Sequence, residues 1–174
     1  IDLTRRHLAR HAPHIRLTVV SDAEQALARL PADSHTPPDY DVLLLDYRLP
    51  GLDALEAVKV LRAERGLDLP VVIITGQGSE EVAAHAIRLG VDDYITKHAG
   101  YLFELPPTLE KVHRQAELAR ERANLRRTTQ RLAQVLAERF PDTAETQPEL
   151  LAHHYTEAAL STQALPYWHM AGQR

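Results

Sequence analysis

The chain has 174 residues, of which 44% are hydrophobic and 25% charged, a composition typical of globular rather than disordered or fibrous proteins. Its net charge of -4 offers no basic footprint for nucleic acid, and the lack of cysteine excludes disulfides and cysteine-ligated metal sites. No stretch reaches the roughly 20 apolar residues of a membrane span. We therefore expect a cytoplasmic protein, one ordinary domain plus an appendage, that binds neither nucleic acid nor membrane.

The N-terminal part of the chain alternates between helical and extended patterns. An amphipathic helix is predicted up to Pro13, and the β-rich run Ile15–Ser21 predicts a short strand. Ser21 and Glu24 stand three residues apart, as in a capping box, and so predict the start of a second helix. A proline-rich loop follows.

Two continuous apolar runs, VLLLD and VVIIT, predict strands that are buried on both faces of a sheet. A third short strand is predicted over Asp92–Lys97. The helical patterns LDALEAVKVLRAERG and SEEVAAHAIRLG follow the first and second of these strands. This alternation predicts an α/β fold in which helices cover both sides of a parallel sheet.

A polar side chain ends each of these strands: Asp46, Thr75 and Lys97. Ligands of parallel α/β sheets bind at this edge. An aspartate there can act as a nucleophile and carry a phosphoryl group as an acyl phosphate, while an ammonium and a hydroxyl interact with the transferred oxygens. A divalent cation, usually Mg²⁺, would be needed beside the carboxylate. A lone strand-end aspartate is more often a turn or capping residue, but the three residues together favour a site.

The segments LLLDYRLPGLDALE and VVIITGQGSEEVAAHAIRLGVDDYITK, with their spacing, resemble the CheY-like receiver domain of two-component response regulators. The resemblance implies that Asp46 is the phosphoacceptor, Thr75 the switch hydroxyl and Lys97 the invariant lysine. It also implies that Tyr94 is the switch aromatic residue and that the backbone carbonyl of Arg48 is a metal ligand. Asp53, Asp92 and Asp93 are interpreted as turn and capping residues.

The resemblance covers roughly residues 1–105 and implies a flavodoxin-like, doubly wound parallel sheet. It further implies Mg²⁺ as the cofactor and a histidine kinase or phosphotransfer protein as the phosphoryl donor. On this basis we predict a switch without enzymatic activity of its own, any enzymatic output lying outside this chain. The alternative is an unphosphorylated, receiver-like scaffold for dimerisation and docking.

Two features depart from the pattern of the family. His98 follows Lys97 at the position where receivers carry a proline. Receivers also begin with a strand whose acidic pair holds Mg²⁺, whereas this sequence starts in what resembles the first helix, so the first strand and the acidic pair are absent from it. We expect that residues before Ile1 belong to the native chain, or that another element fills the gap between Val19 and Leu44.

Residues 106–139 are predicted to form one long helix after two prolines, as a coiled-coil-like signalling linker. Apolar and small residues with alternating spacings of three and four form a predicted seam at Leu109, Val112, Ala116, Ala119 and Ala123. The seam then shifts phase and continues at Leu125, Thr129, Leu132 and Leu136. We expect a homodimer through this helix; a rigid spacer is the alternative.

Residues 140–174 are predicted to form a loop, over Pro141–Pro148, and a helical pair that resembles a tetratricopeptide segment. The predicted packing positions of this pair are Tyr155, Ala158 and Ala164, with Trp168 as an anchor.

Overall fold

The computed structural model describes residues 2–76, 80–140 and 145–173. The chain divides into two compact units, Ile1–Ala116 and Glu117–Arg174. In the first unit the elements follow in the order α1 (Asp2–His11), α2 (Ala23–Ala28), β1 (Leu43–Asp46), α3 (Ala54–Lys59), β2 (Val71–Thr75), α4 (Glu80–Arg88) and β3 (Asp93–Thr96). Helix α5 (Tyr101–Arg139) continues into the second unit, where α6 (Pro148–Glu157) and α7 (Ser161–Gly172) follow.

The three strands form one parallel sheet in the order β1-β2-β3. Successive residues of β2 point to opposite faces of this sheet, and all of them are buried. Val71 and Ile73 pack with α2, α3 and α4, whereas Val72 and Ile74 pack with α1 and the beginning of α5. The predicted flavodoxin-like arrangement, with helices on both faces of a parallel sheet, is confirmed.

The starts of α2 and α3 are fixed by aspartate caps. Asp53 accepts a hydrogen bond from the backbone of Glu56 and forms a complete capping box with it, as its predicted capping role requires. The prediction that Ser21 opens α2 is wrong, because Asp22 is the cap and accepts from the backbone of Gln25 at 2.8 Å. The Ser21 hydroxyl instead donates to the Asp22 carboxylate.

The prediction of a strand over Ile15–Ser21 is wrong. Within the described residues β1 pairs only with β2, and the other edge of β1 faces a cavity of about 430 Å³. Leu17 and Val19 line this cavity together with Leu44 of β1. The run has β-forming residues, but a strand needs a neighbouring backbone to bond, and none of the described residues provides one there.

Helix α5 begins at Tyr101, so the predicted start after the prolines is wrong, and Pro106 and Pro107 lie inside the helix. Neither proline has an N–H to donate, which weakens the second turn. The turn is held by packing instead, because Leu105 and Leu109 are buried against the sheet with the side chains of α1.

The second unit contains the predicted helical pair, α6 and α7, which pack against α5 around Ala133. Tyr155 stacks on Tyr167 with ring centroids 5.7 Å apart, and burial raises the pKa of Tyr155. Trp168 is not a buried anchor: its ring is half-exposed, and its indole N–H donates to the Thr156 hydroxyl at 3.1 Å. Residues 141–144 of the predicted loop lie outside the described residues, and Pro148 opens α6. The likeness to tetratricopeptide repeats stays a prediction.

The Arg62 side chain connects the segments that precede β2 and β3. After α3 the chain continues in a π-helical turn, Val60–Glu64, which presents the Arg62 guanidinium to several backbone carbonyls. It donates to the carbonyls of Leu67 and Leu69 at 2.6 and 2.8 Å and to that of Gly90 at 2.9 Å. It also lies 3.2 Å from the carboxylate of Asp92.

We expect Arg62→Lys to lower the free energy of unfolding by about 2 kcal/mol, because an ammonium cannot reach this fan of acceptors and leaves buried carbonyls without donors. Urea unfolding followed by circular dichroism measures the change. Arg88→Lys is the matched control, since within the described part of the chain Arg88 bonds only the Ala84 carbonyl of its own helix, and it should stay within about 0.5 kcal/mol of the wild type. Equal urea midpoints for Arg62→Lys and the wild type would contradict a stabilising role of the Arg62 hydrogen bonds.

Candidate functional site

The predicted site residues stand at the carboxyl ends of three neighbouring strands. Asp46 ends β1 opposite Ile74, and Thr75 ends β2. Lys97 follows β3 directly, and its backbone N–H donates to the Thr75 carbonyl at 2.7 Å. Parallel pairing therefore brings a carboxylate, a hydroxyl and an ammonium to one edge of the sheet.

Asp46 and Lys97 form an ion pair at this edge. The Lys97 ammonium donates to Oδ2 of Asp46, and the Arg48 backbone N–H donates to Oδ1 at 3.2 Å. The two side chains are 40% and 38% exposed, so a ligand can reach them from solvent. An ion pair this exposed contributes little to stability. Its effect is to orient the carboxylate and to keep a cation beside it.

Thr75 is the one buried polar side chain among the described residues, at 4% exposure. It lies at the last position of β2, next to the strand that carries Asp46. Gly76 follows, and a methyl group added there would meet no atom of the other described residues within 4 Å.

The cavity beside β1 reaches this site, because Asp46, Arg48 and Lys97 line it. Ser21 and Asp22 line the same cavity from the opposite side. The pKa of Asp22 is lowered, first by the hydrogen bond from the Gln25 backbone and then by the one from the Ser21 hydroxyl. Asp22 thus brings a second anionic carboxylate to the cavity. Sequence reasoning missed this carboxylate, although an aspartate before a helical run is a recognised capping signal.

The described residues contain no group of three or more histidine, aspartate or glutamate side chains that could hold a metal ion. Mg²⁺ is usually bound by one or two carboxylates together with phosphate and water oxygens. The Asp46 carboxylate and the Arg48 carbonyl fit an ion that such oxygens complete.

Two further predicted features lie on or after β3. Tyr94 is an exposed residue of the strand. His98 pairs with Glu104 at 3.1 Å, and the described residues contain no cis peptide bond, so the Lys97–His98 bond is trans. Tyr94 and His98 therefore lie close to the site along the chain without belonging to the ion pair.

Comparisons with known proteins place this geometry in a family. Residues 1–101 match the family model of the response regulator receiver domain. The phosphate regulon transcriptional regulatory protein PhoB of Klebsiella pneumoniae is 45% identical over 58 residues, 33% of this chain and 25% of PhoB. The transcriptional regulatory protein FixJ of Bradyrhizobium diazoefficiens is 34% identical over 106 residues, 59% of this chain and 47% of FixJ. The chain thus spans half or less of the length of these relatives.

A similar solved structure comes from Pseudomonas aeruginosa. It is the receiver domain of a sensor histidine kinase, with a magnesium ion coordinated in the active site cleft. It is 27% identical to this chain, with a TM-score of 0.51, and the match covers 64% of this chain and 86% of that one. No helix in the described part of the chain has the length and apolarity to cross a membrane.

The turn beside the site gives a test of its shape. Gly51 has a φ of +77°, and a Cβ there would lie 2.6 Å from Oε1 of Glu24, the atom that accepts from the Leu52 backbone. We expect Gly51→Ala to lower the free energy of unfolding by about 1 to 2 kcal/mol, since alanine disfavours this conformation and displaces the Glu24 carboxylate.

Thermal unfolding of Gly51→Ala and Gly76→Ala measures the difference. Gly76 has no such neighbour among the described residues and no positive φ, so its alanine variant should unfold like the wild type. If both variants lost stability equally, the requirement for glycine at the turn would be refuted.

Proposed function

The chain belongs to the family of response regulator receiver domains, and from that premise we propose that it is a switch controlled by phosphorylation of Asp46. The observation that carries the proposal is the Asp46–Lys97 ion pair at the carboxyl edge of the sheet. The pair supports the proposal because it holds an accessible carboxylate, a possible nucleophile, beside a cation of the kind that an incoming phosphoryl group requires.

In the proposed reaction, a carboxylate oxygen of Asp46 attacks the phosphorus of a phosphohistidine on a histidine kinase or phosphotransfer protein. A bond forms between that oxygen and phosphorus, and the phosphorus–nitrogen bond breaks. The donor imidazole leaves with the electron pair and takes up a proton. Catalysis of such a transfer depends mainly on positioning and on balancing the charge of the transferred oxygens.

The residues around Asp46 can supply both the positioning of the carboxylate and the balance of charge on the transferred oxygens. The Arg48 N–H and the Lys97 ammonium hold the two carboxylate oxygens in place before the transfer. After it, the Lys97 ammonium is close enough to pair with a phosphoryl oxygen, and the Thr75 hydroxyl is the proposed donor to another. Mg²⁺, held by the Asp46 carboxylate, the Arg48 carbonyl and phosphoryl and water oxygens, would supply further charge neutralisation when bound.

Phosphorylation would change the partner of Lys97 from a carboxylate to a phosphoryl group. We propose that Thr75 and Tyr94 move toward the pocket as this happens, which alters the surface that includes α4 and β3. Tyr94 is exposed in the present state, as a movable switch residue needs to be. The two states can be shifted only by as much as phosphorylation stabilises one over the other. We further propose that the change is transmitted along α5 and shifts the geometry of a homodimer formed through this helix.

We expect one phosphoryl adduct when the chain is incubated with acetyl phosphate and Mg²⁺, and none in Asp46→Asn, because an amide cannot act as this nucleophile. Intact-mass measurement detects the adduct. Asp41→Asn is the matched control: it removes an exposed carboxylate of the loop before β1 and should leave the adduct unchanged. An adduct that persists in Asp46→Asn would contradict the assignment of the nucleophile.

The second candidate function, an unphosphorylated scaffold for dimerisation and docking, is favoured by the lack of a three-ligand metal cluster in the described residues. Beryllofluoride, which mimics an aspartyl phosphate, separates the two functions. A Mg²⁺-dependent change in the amide NMR spectrum of the wild type, lost in Asp46→Asn, supports the switch. An unchanged wild-type spectrum supports the scaffold.

We expect Lys97→Ala to slow phosphorylation by acetyl phosphate about 100-fold, since a charged donor at the transferred group is lost. Its effect on the free energy of unfolding should stay below about 1 kcal/mol, because the ion pair is exposed. Lys111→Ala is the control, since it removes another lysine–aspartate pair, with the half-buried Asp93 at the opposite end of β3 from Lys97. Equal phosphorylation rates in the two variants would exclude a role for Lys97 in the transfer.

A further inference from the structure

The second unit contains a groove between α5 and α6 that the function proposed above does not use. Its volume is about 240 Å³. Side chains from both helices line it: Arg122, Leu125, Arg126 and Thr129 of α5, and His154 and Glu157 of α6. All six residues lie within the compact unit Glu117–Arg174, so the groove is a feature of this unit alone.

Packing between the two helices fixes the positions from which the groove side chains project. Ala133 of α5 is fully buried in a core that it shares with Leu151 and Tyr155 of α6. Thr129 lies one turn before Ala133, and His154 directly precedes Tyr155. The backbone on both sides of the groove is therefore held in place before a ligand binds, which lowers the entropic cost of binding.

Arg122 and Arg126 bring two positive charges to the same side of α5. They stand four residues apart, and like charges at this spacing destabilise a helix. In the described part of the chain neither guanidinium makes an ion pair, although the Glu157 carboxylate lines the same groove. An anion bound between the two arginines would offset their repulsion, so this side of the groove favours an anionic ligand.

The donors around the groove match the oxygens of a phosphate group. A guanidinium presents a rigid fork of N–H donors that suits phosphate. The Thr129 hydroxyl and the His154 imidazole, both partly covered, can donate further hydrogen bonds. A phosphate monoester offers three acceptor oxygens and a charge of about −1.5 to −2 near pH 7, which balances two arginines. A carboxylate offers only two oxygens and a single charge.

Glu157 and Leu125 restrict the rest of the ligand. The Glu157 carboxylate attracts an ammonium group and repels a second anionic group, which disfavours polyphosphates and nucleic acids. Leu125, 69% exposed, offers an apolar surface to a short carbon chain. The groove volume of about 240 Å³ is also smaller than the roughly 300 to 1,000 Å³ of pockets for drug-sized ligands.

We infer that this groove binds a small phosphate monoester that also carries an ammonium group. The phosphate accepts hydrogen bonds from the arginine, threonine and histidine side chains of the groove, and the ammonium pairs with the Glu157 carboxylate. Binding is non-covalent and requires neither Asp46 nor its phosphorylation, so this site is separate from the proposed switch.

NMR titration of the full chain with inorganic phosphate and with O-phosphoethanolamine tests the inference. Both ligands should give saturable shifts of the Thr129 and His154 amide signals. O-phosphoethanolamine should bind at least about threefold more tightly than inorganic phosphate, because its ammonium group pairs with Glu157. Glu157→Gln should remove this preference, and Asp46→Asn should leave both affinities unchanged.

Two arginine variants separate the groove from a general attraction of anions to a basic helix. Arg122→Gln with Arg126→Gln should weaken both ligands at least about tenfold, since the charged donors are lost. Arg127→Gln with Arg131→Gln is the matched control, because it removes the same charge from residues that do not line the groove. The affinities of this control should stay within about twofold of the wild type. All four side chains are exposed, so the fold should be retained in both variants.

The absence of a saturable shift up to about 50 mM of either ligand overturns the inference. Equal losses of affinity in the two arginine variants do the same, since they would show attraction by charge alone. A preference for O-phosphoethanolamine that is missing in the wild type, or that persists in Glu157→Gln, contradicts the assigned ligand. Shifts that disappear in Asp46→Asn would show that the phosphate binds at the sheet edge and not in the groove.

Discussion

Parallel pairing of β1, β2 and β3 is the constraint on which the rest of this molecule depends. Because the strands run in the same direction, the residues that end them meet at one edge, and Asp46, Thr75 and Lys97 become neighbours across 51 positions of sequence. The alternating faces of β2, both buried, set the positions of the helices on either side. The polar edge and the apolar interior thus follow from the same three strands.

The proposed nucleophile, Asp46, is held by two donors. It accepts hydrogen bonds from the Lys97 ammonium and the Arg48 backbone N–H, and in the proposed reaction these donors also meet the phosphoryl group. Asp22 also lines the cavity beside β1, where its carboxylate caps the N-terminus of α2. In the proposed reaction Lys97 balances charge on the transferred group, and phosphoryl and water oxygens would be among the ligands of a bound cation.

The sequence predicted those features that depend on local pattern and chain direction. The apolar runs before Asp46 and Thr75 identified two buried strands, and the strand-end rule correctly predicted that Asp46, Thr75 and Lys97 lie at one edge of the sheet. Prediction from the sequence failed where contacts with distant parts of the chain determine the secondary structure. The β-forming run at Ile15–Ser21 has no neighbour to bond, and α5 passes through Pro106 because buried leucines hold that turn. The predicted seam begins at Leu109 and Val112, which are instead buried in the core of the first unit, because periodicity does not reveal which apolar face the core uses.

Trapping the modified residue tests the central claim most directly. An aspartyl phosphate is an acyl phosphate, which borohydride reduces to an alcohol with loss of phosphate, so a phosphorylated aspartate is converted to homoserine. After treatment with acetyl phosphate and then borohydride, peptide mass mapping should locate homoserine at position 46, in the peptide that contains VLLLDYRLPG. Homoserine at any other aspartate, or a phosphoryl group that resists reduction on a serine or histidine, would contradict the account.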